Sequence, residues 1–269
     1  MKNRWMGSLS LVLAACAALS VPAFAAEPVT MDDFSDPSTL KNWEVDGYQP
    51  DDFYVDRGVL YLAMGPDGYI RNRAEEYRDK AYNMQGYKLE VDSVSATGWT
   101  ASAKLLLDDT WYGVRTDSYL KERAPKVEYQ TTLDNKKKVL FQVDLIGSNK
   151  QPPAITVIKG GDDAPIVKYY DPEADQEWGT AQIDWAAIQA AVQADAETAQ
   201  QGLWVTLTIT FQDGKVTYYL DDQEIGSCTR DSQKAQPDYL KLSMQNFQRP
   251  DVSAWDDVCL YDGVQKPGK

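Results

Sequence analysis

Apolar and polar residues alternate with a period of two in several segments of the chain. In residues 203–211 every odd position is apolar, and the even positions are Trp204 and three threonines. Alternation of this kind, rich in β-branched and aromatic residues, predicts a strand with one buried face and one solvated face. The same pattern predicts further strands in residues 87–91, 139–146, 216–220, 239–245 and 257–261.

A short polar segment separates two of these predicted strands. Residues 212–215 read Gln-Asp-Gly-Lys, between the alternating segments 203–211 and 216–220. Asp-Gly is a preferred pair for the two central positions of a tight hairpin, where the backbone takes positive φ. We therefore predict that the two strands form a β-hairpin.

Residues 184–201 have helical spacing instead. Trp185, Ile188 and Val192 recur at intervals of three and four among many Ala and Gln residues. Asp184 can cap the start of a helix, and Gly202 can end it. Many strands with one late amphipathic helix predict an all-β fold, a two-sheet antiparallel β-sandwich of the jelly-roll type.

The first 25 residues have the features of a signal peptide. Lys2 and Arg4 precede an apolar stretch at 9–19, and Ala-Phe-Ala at 23–25 fits a cleavage site. The apolar stretch is too short for a retained membrane span. We predict a signal peptide at 1–25 and a single domain at 26–269, exported to the periplasm, the extracellular space or the cell surface of a bacterium. An alternative is cleavage before Cys16 in Leu-Ala-Ala-Cys, which would give a lipid anchor.

The chain is acidic, and this restricts its partners. Its formal net charge is −14, and loss of Lys2 and Arg4 with the signal peptide makes the mature chain more acidic. This charge disfavours nucleic acid and anionic membranes as partners. It also disfavours an acidic polysaccharide, unless a local basic groove overrides the global field. The chain has no histidine, so proton transfer would depend on other side chains.

Two cysteines, Cys228 and Cys259, remain after the predicted signal peptide. An even pair in an oxidising compartment predicts a disulfide. Closing a loop of about 30 residues would stabilise the fold by roughly 3–4 kcal/mol. The alternative is that both cysteines are small buried apolar residues.

A polar face is predicted on two of the strands. If residues 126–133 and 139–145 form a hairpin through 134–137, core positions must face core positions. Residues of the opposite face would then be Glu128, Gln130, Gln142 and Asp144. Residues 239–245 add a second polar row, which consists of Tyr239, Lys241, Ser243 and Gln245.

On one sheet, these acid, amide, ammonium and phenol groups would suit sugar hydroxyls, which need paired donors and acceptors. A polysaccharide or oligosaccharide is therefore the predicted partner. Such a row can also be the ordinary solvated face of an antiparallel sheet.

These residues also carry a resemblance to a known family. Phe-Gln-Val-Asp at 141–144 resembles the Gln-Ile-His strand of the alginate lyases, a polysaccharide lyase family. Tyr-Leu-Lys-Leu-Ser-Met-Gln-Asn at 239–246 resembles their Tyr-Phe-Lys-Ala-Gly-x-Tyr-Asn strand. The resemblance implies a concanavalin A-like jelly roll in which Gln142 and Lys241 contact the substrate. The family's His falls on Asp144 and its Tyr on Gln245, so the residues of lyase proton transfer are replaced.

Glycoside hydrolysis needs only two carboxyl groups at a suitable separation. Glu128 and Asp144, on neighbouring strands of the predicted hairpin, are the candidate catalytic pair. Proximity of the two groups would raise the pKa of one of them, as an acid catalyst requires. The Glu-x-Asp-x-x-Glu strand of the β-glucanases is absent.

The two ends of the mature chain carry acidic residues. Asp-Asp-Val-Cys-Leu-Tyr-Asp-Gly at 256–263 resembles the last strand of laminin G-like sandwiches. In such folds the first and last strands often lie together, and the resemblance implies a structural calcium ion near Asp33 and Asp257. Calcium takes six to eight oxygen ligands. The alternative is that these are acidic turn residues beside strands.

Aromatic side chains are a further indication of sugar binding, because pyranose rings stack on them. Trp111, in Asp-Asp-Thr-Trp-Tyr-Gly at 108–113, is predicted to lie in an exposed loop, and most other tryptophans are expected in the core. The leading hypothesis is a secreted polysaccharide-binding jelly roll. The alternatives are a polysaccharide lyase or glycoside hydrolase, and an adhesion or structural module with no sugar site.

Overall fold

The structure is a computed structural model. It describes residues 27–65, 83–107, 111, 137–146, 152–161, 164–186, 202–246 and 251–267. The predicted signal peptide and Cys16 lie outside these residues. None of the helices in the described part is long and apolar enough to cross a membrane.

The described residues form strands with two short 3-10 helices, Pro37–Asn42 and Asp175–Glu177. In chain order the strands are β1 (Thr30–Asp32), β2 (Trp43–Gly47), β3 (Asp52–Asp56), β4 (Val59–Met64), β5 (Asn83–Glu90), β6 (Gly98–Leu107), β7 (Lys138–Leu145), β8 (Ala154–Lys159), β9 (Ile166–Tyr170), β10 (Trp178–Thr180), β11 (Leu203–Gln212), β12 (Lys215–Leu220), β13 (Gln223–Thr229), β14 (Pro237–Asn246) and β15 (Asp251–Asp262).

These strands make two antiparallel sheets. One has the order β13-β12-β11-β6-β15-β4-β3, with β1 also paired to β15, and is called here the eight-stranded sheet. The other, the seven-stranded sheet, has the order β10-β9-β8-β7-β14-β5-β2. The predicted two-sheet antiparallel sandwich is confirmed, and so is the expectation that the first and last strands lie together.

The core lies between the sheets and follows the sequence alternation. On β11 the odd residues from Leu203 to Phe211 are buried, and on β7 so are Val139, Phe141, Val143 and Leu145. Removal of this apolar surface from water is the main contribution to stability. One detail differs from the prediction, because Thr208 and Thr210 on the opposite face of β11 are also buried. They lie on a central strand, flanked by β6 and β12.

The predicted hairpin between β11 and β12 is confirmed. Gln212 pairs with Lys215, and the two residues between them have φ of 48° at Asp213 and 89° at Gly214. Positive φ at both central residues is typical of the type I′ turn, whose twist matches that of the strands.

The predicted hairpin of residues 126–133 with β7 stays a prediction, because residues 126–133, with Glu128 and Gln130, lie outside the described part of the chain. Among the described strands, β7 pairs with β8 and with β14. The predicted helix at 184–201 lies mostly outside the described residues. Of its described part, residues 184–186, Trp185 and Ala186 are helical.

The predicted disulfide is also wrong, because Cys228 and Cys259 are both free and buried. Cys228 lies on β13 and faces the core, whereas Cys259 lies on β15 opposite Ser102, on the other face of the same sheet. Three strands separate β13 from β15, a distance of roughly 19 Å at strand spacing. A disulfide requires Cα atoms about 4.4–6.8 Å apart.

Asp32 anchors the start of the fold. Its Oδ1 accepts hydrogen bonds from the backbone N–H of Phe34 at 3.0 Å and from the hydroxyl of Thr39 at 2.9 Å. Its Oδ2 accepts from the indole N–H of Trp43 at 2.8 Å. Asp32 as a residue is only 4% exposed. One buried side chain therefore joins β1, the first 3-10 helix and β2.

Candidate functional site

The candidate site is the outer face of the seven-stranded sheet, the face turned away from the core. On its central strands, Lys241 of β14 lies opposite Gln142 of β7. Tyr239 lies opposite Asp144, one row away. The described parts of the two predicted polar rows are therefore neighbours on one face, as expected.

Lys241 is held between two carboxylates. Its Nζ lies 2.6 Å from Oδ2 of Asp144 and 2.9 Å from Oδ1 of Asp46, which comes from β2. The amide of Gln142 donates to the other oxygen of Asp144. Burial of the ammonium group lowers its pKa, but the hydrogen bonds to Asp144 and Asp46 outweigh this, so the pKa of Lys241 is raised overall. Lys241 is a fixed positive charge at the centre of the face.

Beside this group the face carries an aromatic ring and further charges. The ammonium of Lys88, on β5, lies 4.1 Å from the ring centroid of Tyr239 and 3.4 Å from Oε2 of Glu44. A cation over an aromatic face is attracted by the ring quadrupole. The contact with Lys88 therefore holds the ring of Tyr239. On the neighbouring strands Tyr239 lies opposite Glu90 of β5 and Asp144 of β7.

On β9 and β10 the outer face carries a pair of aromatic rings. Tyr170 of β9 and Trp178 of β10 lie opposite each other, with ring centroids 5.7 Å apart and planes at 80°. Both pack against a cluster formed by Leu140, Ile155 and Val157 of β7 and β8. The two rings are half-buried, and therefore keep surface that a ligand can contact.

Three further predicted site residues are Gln245, Glu128 and Gln130. Gln245 is half-buried opposite Met84, near the end of the polar row of β14. Glu128 and Gln130 lie outside the described residues, so the catalytic pair Glu128 and Asp144 stays a prediction.

The expectation that Trp111 is an exposed stacking residue is wrong. Its side chain is fully buried within the main core cluster. The indole N–H donates to the backbone oxygen of Leu106 at 3.2 Å, and Nζ of the buried Lys137 lies 4.5 Å from the ring centroid. A large aromatic ring gains more from burial than from exposure, and polar flanking residues do not show which of the two occurs.

Asp46 and Tyr170 are important residues of the face that were not predicted. Asp46 lies in β2, where the sequence Trp-Glu-Val-Asp-Gly is too short to show clear alternation. Tyr170 lies in Ile-Val-Lys-Tyr-Tyr, where two of the three outer-face residues, Ile166 and Tyr170, are large hydrophobic residues and the alternation is therefore weak. The β-branched and aromatic content of this segment could have indicated a strand.

The predicted calcium ligands Asp33 and Asp257 have other partners in the structure. Asp33 accepts hydrogen bonds from the backbone and hydroxyl of Ser35, at 3.0 and 2.7 Å. Asp257 pairs with Lys104, with Nζ 2.5 Å from Oδ2. Among the residues that the structure describes, no group of three or more His, Cys, Asp or Glu side chains could hold a metal ion. The structural calcium ion therefore stays a prediction.

The acidic group at β15 has a consequence for stability. Burial raises the pKa of Asp256 to about 6, and the nearby charge of Asp257 adds to the rise. Because the folded state holds this proton more tightly than the unfolded chain, Asp256 favours folding below its ordinary pKa of 3.8. That contribution is lost as the pH rises through about 6.

We therefore expect Asp256→Asn to be more stable than the wild type at pH 7.5, by about 1 kcal/mol after allowance for solvent screening at this half-exposed position. The difference should vanish at pH 3.5, as measured by urea unfolding at both pH values. Asp222→Asn, which removes an equal charge from an exposed turn, is the control. An equal gain in stability in both variants would show that the effect comes from net charge alone.

Comparison by sequence with protein families and with curated proteins gives no match. Comparison with solved structures gives matches. The CBM2 module of Lactobacillus casei BL23 phage J-1 evolved Dit aligns with a TM-score of 0.52 and 11% identity, over 89% of this chain and 97% of that one. The catalytic domain of an endo-1,3-beta-glucanase (laminarinase) from Thermotoga petrophila RKU-1 aligns with a TM-score of 0.52 and 10% identity, over 90% and 99%.

Similarity at this level of identity shows the fold alone. The resemblances to alginate lyases and to the laminin G-like last strand stay predictions. The chain has the concanavalin A-like jelly-roll fold.

Proposed function

We propose that this chain binds a polysaccharide across the outer face of the seven-stranded sheet and does not cleave it. The observation that carries the proposal is the hydrogen-bonded group of Gln142, Asp144 and Lys241 beside an aromatic pair. Amide, carboxylate and ammonium groups supply both donors and acceptors for hydroxyls. The rings of Tyr170 and Trp178 supply apolar surface for the faces of sugar rings.

The contacts of the two central carboxylates support binding without cleavage. A glycosidase needs one carboxyl group that holds a proton and delivers it to the glycosidic oxygen. Here Asp46 and Asp144 both contact the ammonium of Lys241 instead. A lyase needs a group that takes the proton beside the uronate carboxylate. Gln245 stands where the resemblance places the tyrosine, and an amide does not exchange protons near neutral pH.

The fold supports a glycan as the ligand. The two similar structures are, by their descriptions, a CBM2 module and a laminarinase. Both descriptions name carbohydrate-related proteins, and both of these proteins align with the two-sheet architecture of this chain.

Hydrolysis is the second candidate, because one geometric observation favours it. The contacts to Lys241 keep the carboxylates of Asp46 and Asp144 no farther apart than roughly 5.5 Å, the separation typical of retaining glycosidases. For cleavage, Lys241 would have to leave this position when the substrate binds.

The proposal is tested by affinity gels that contain neutral and uronate polysaccharides, with parallel assays for new reducing ends and new unsaturated ends. We expect retention without either product. Trp178→Ala should weaken binding about tenfold, since it removes the ring at the edge of the face. Trp204→Ala, which truncates a half-buried tryptophan on the other sheet, should leave binding unchanged.

Reducing ends would favour hydrolysis by Asp46 and Asp144, and unsaturated ends would favour a lyase. If no polysaccharide is retained, the binding proposal is wrong. If the two tryptophan variants lose binding equally, the seven-stranded sheet is not the binding face.

A further inference from the structure

Three lysines lie together at one end of the outer face. Lys138 of β7 lies directly opposite Lys159 of β8. Lys168 of β9 lies opposite Val157, which precedes Lys159 by two positions and therefore shares its face. Directly opposed side chains have Cβ atoms about 5 Å apart, and diagonal ones about 7–8 Å. Three adjacent strands thus present three ammonium groups as one compact cluster, called here the basic cluster.

The basic cluster has no acidic partner among the residues that the structure describes. The ion pairs of the described residues involve Arg57, Lys88, Lys104, Lys137 and Lys241, but none of the three cluster lysines. Burial lowers the pKa of Lys138, and the charges of Lys159 and Lys168 lower it further. Like charges placed opposite each other in a sheet are destabilising. The arrangement therefore carries an unfavourable charge density that an anion would relieve.

The position of the basic cluster connects it to the proposed glycan face. Leu140 and Val157 lie between it and the row of Gln142 and Lys241. Lys138 and Gln142 are four residues apart on one strand, a distance of about 13 Å. A single extended oligomer can contact both.

The charge of the face also changes along its length. Its other end, on β2 and β5, carries three carboxylates, Glu44, Asp46 and Glu90, against one lysine, Lys88. The face is therefore basic at one end and acidic at the other, although the chain as a whole has 41 acidic and 27 basic residues. A uniform solvated face of so acidic a protein would not be expected to separate its charges in this way.

We propose that the basic cluster of Lys138, Lys159 and Lys168 binds carboxylate or sulfate groups on the polysaccharide, so that the preferred ligand is an anionic glycan. This inference rests on the proposed function and specifies its substrate class. The cluster is the local basic surface that an acidic polysaccharide requires if it is to bind an acidic chain. Lysine ammonium groups on flexible stems bind such groups as point charges, without a fixed bidentate geometry.

The test uses the mature chain and, for each of several polysaccharide backbones, three matched forms: neutral, carboxymethylated and sulfated. The variant is Lys138→Gln, Lys159→Gln and Lys168→Gln combined. The control removes the same charge elsewhere, by Lys41→Gln, Lys215→Gln and Lys266→Gln at three exposed sites. Affinities are measured by titration calorimetry at 20 and 200 mM NaCl, after circular dichroism confirms that each variant is folded.

We expect the wild type to bind a charged form about tenfold more tightly than the neutral form, a difference of about 1.4 kcal/mol. The cluster variant should lose that preference and keep its affinity for the neutral form, while the control keeps both. The preference should shrink at 200 mM NaCl, because salt screens exposed charges. The carboxymethylated and sulfated forms show which anionic group is preferred.

Other outcomes would overturn the inference. Equal affinity of the wild type for neutral and charged forms would leave the proposed function intact and refute a role for the basic cluster. Equal losses of the preference for charged forms in the cluster variant and in the control would also refute this role, because the preference would then come from the net charge of the chain. If no form of any backbone binds, the proposed function fails together with this inference.

Discussion

Asp32→Ala is expected to lower the free energy of unfolding by about 3 kcal/mol. The substitution removes the acceptor of three hydrogen bonds, from Phe34, Thr39 and Trp43. The indole N–H of Trp43 and the backbone N–H of Phe34 would then be buried without a partner, which costs more than the loss of a solvated hydrogen bond. Urea unfolding followed by tryptophan fluorescence measures the change.

Asp33→Ala is the matched control for this prediction. Asp33 is the next residue and also a carboxylate, but its hydrogen bonds to Ser35 are at the surface. Its loss should therefore cost much less. If both variants are equally stable, the buried anchor at Asp32 does not contribute as its geometry predicts. The measurement should be made in the presence of a chelator, so that no bound cation contributes to either value.

Lys241→Met is expected to affect both stability and binding. The lysine side chain is 13% exposed and neutralises Asp46 and Asp144. Without it, two half-buried carboxylates face each other without a countercharge. Loss of one partner of a fully buried ion pair costs about 3–5 kcal/mol, and partial exposure reduces this to about 2 kcal/mol. Polysaccharide affinity should fall more than tenfold, because the central donor of the face is lost.

The dependence of this effect on pH has a defined sign. The pKa of Lys241 is raised in the folded state, so its contribution is fully present below the ordinary lysine pKa of 10.5. The difference in unfolding free energy between wild type and Lys241→Met should therefore be constant from pH 6 to pH 9. It should shrink above pH 10.5, as the ammonium is lost.

Lys104→Met is the control for Lys241→Met. Lys104 also pairs with an aspartate, Asp257, but its side chain is 42% exposed and lies on the other sheet. Its loss should cost less stability and leave glycan affinity unchanged. Adding Asp144→Asn to Lys241→Met should restore part of the stability, because it removes one of the two carboxylates that have lost their countercharge. Strictly additive losses would show that Lys241 and Asp144 do not interact.

The sequence by itself determined the strands and their faces where the alternation was long. The buried and exposed faces of β7, β11 and β14 follow from which residues alternate, because successive side chains of a strand point to opposite sides. The turn at Asp213 and Gly214 follows from local backbone preference. The sharing of one face by Gln142, Asp144 and Lys241 also follows from alternation, once β7 and β14 are neighbours.

Only the tertiary structure decided which strands are neighbours. The alternation of apolar and polar residues carries no information about strand order, so the pairing of β7 with β8 and β14 could not be predicted from it. For the same reason the distance between Cys228 and Cys259 was misjudged. Asp46 meets Lys241 across 195 residues of sequence, and the basic cluster combines lysines from three separate strands. Contacts of this kind depend on the packing of the whole sheet, whereas strand faces depend only on each segment's own periodicity.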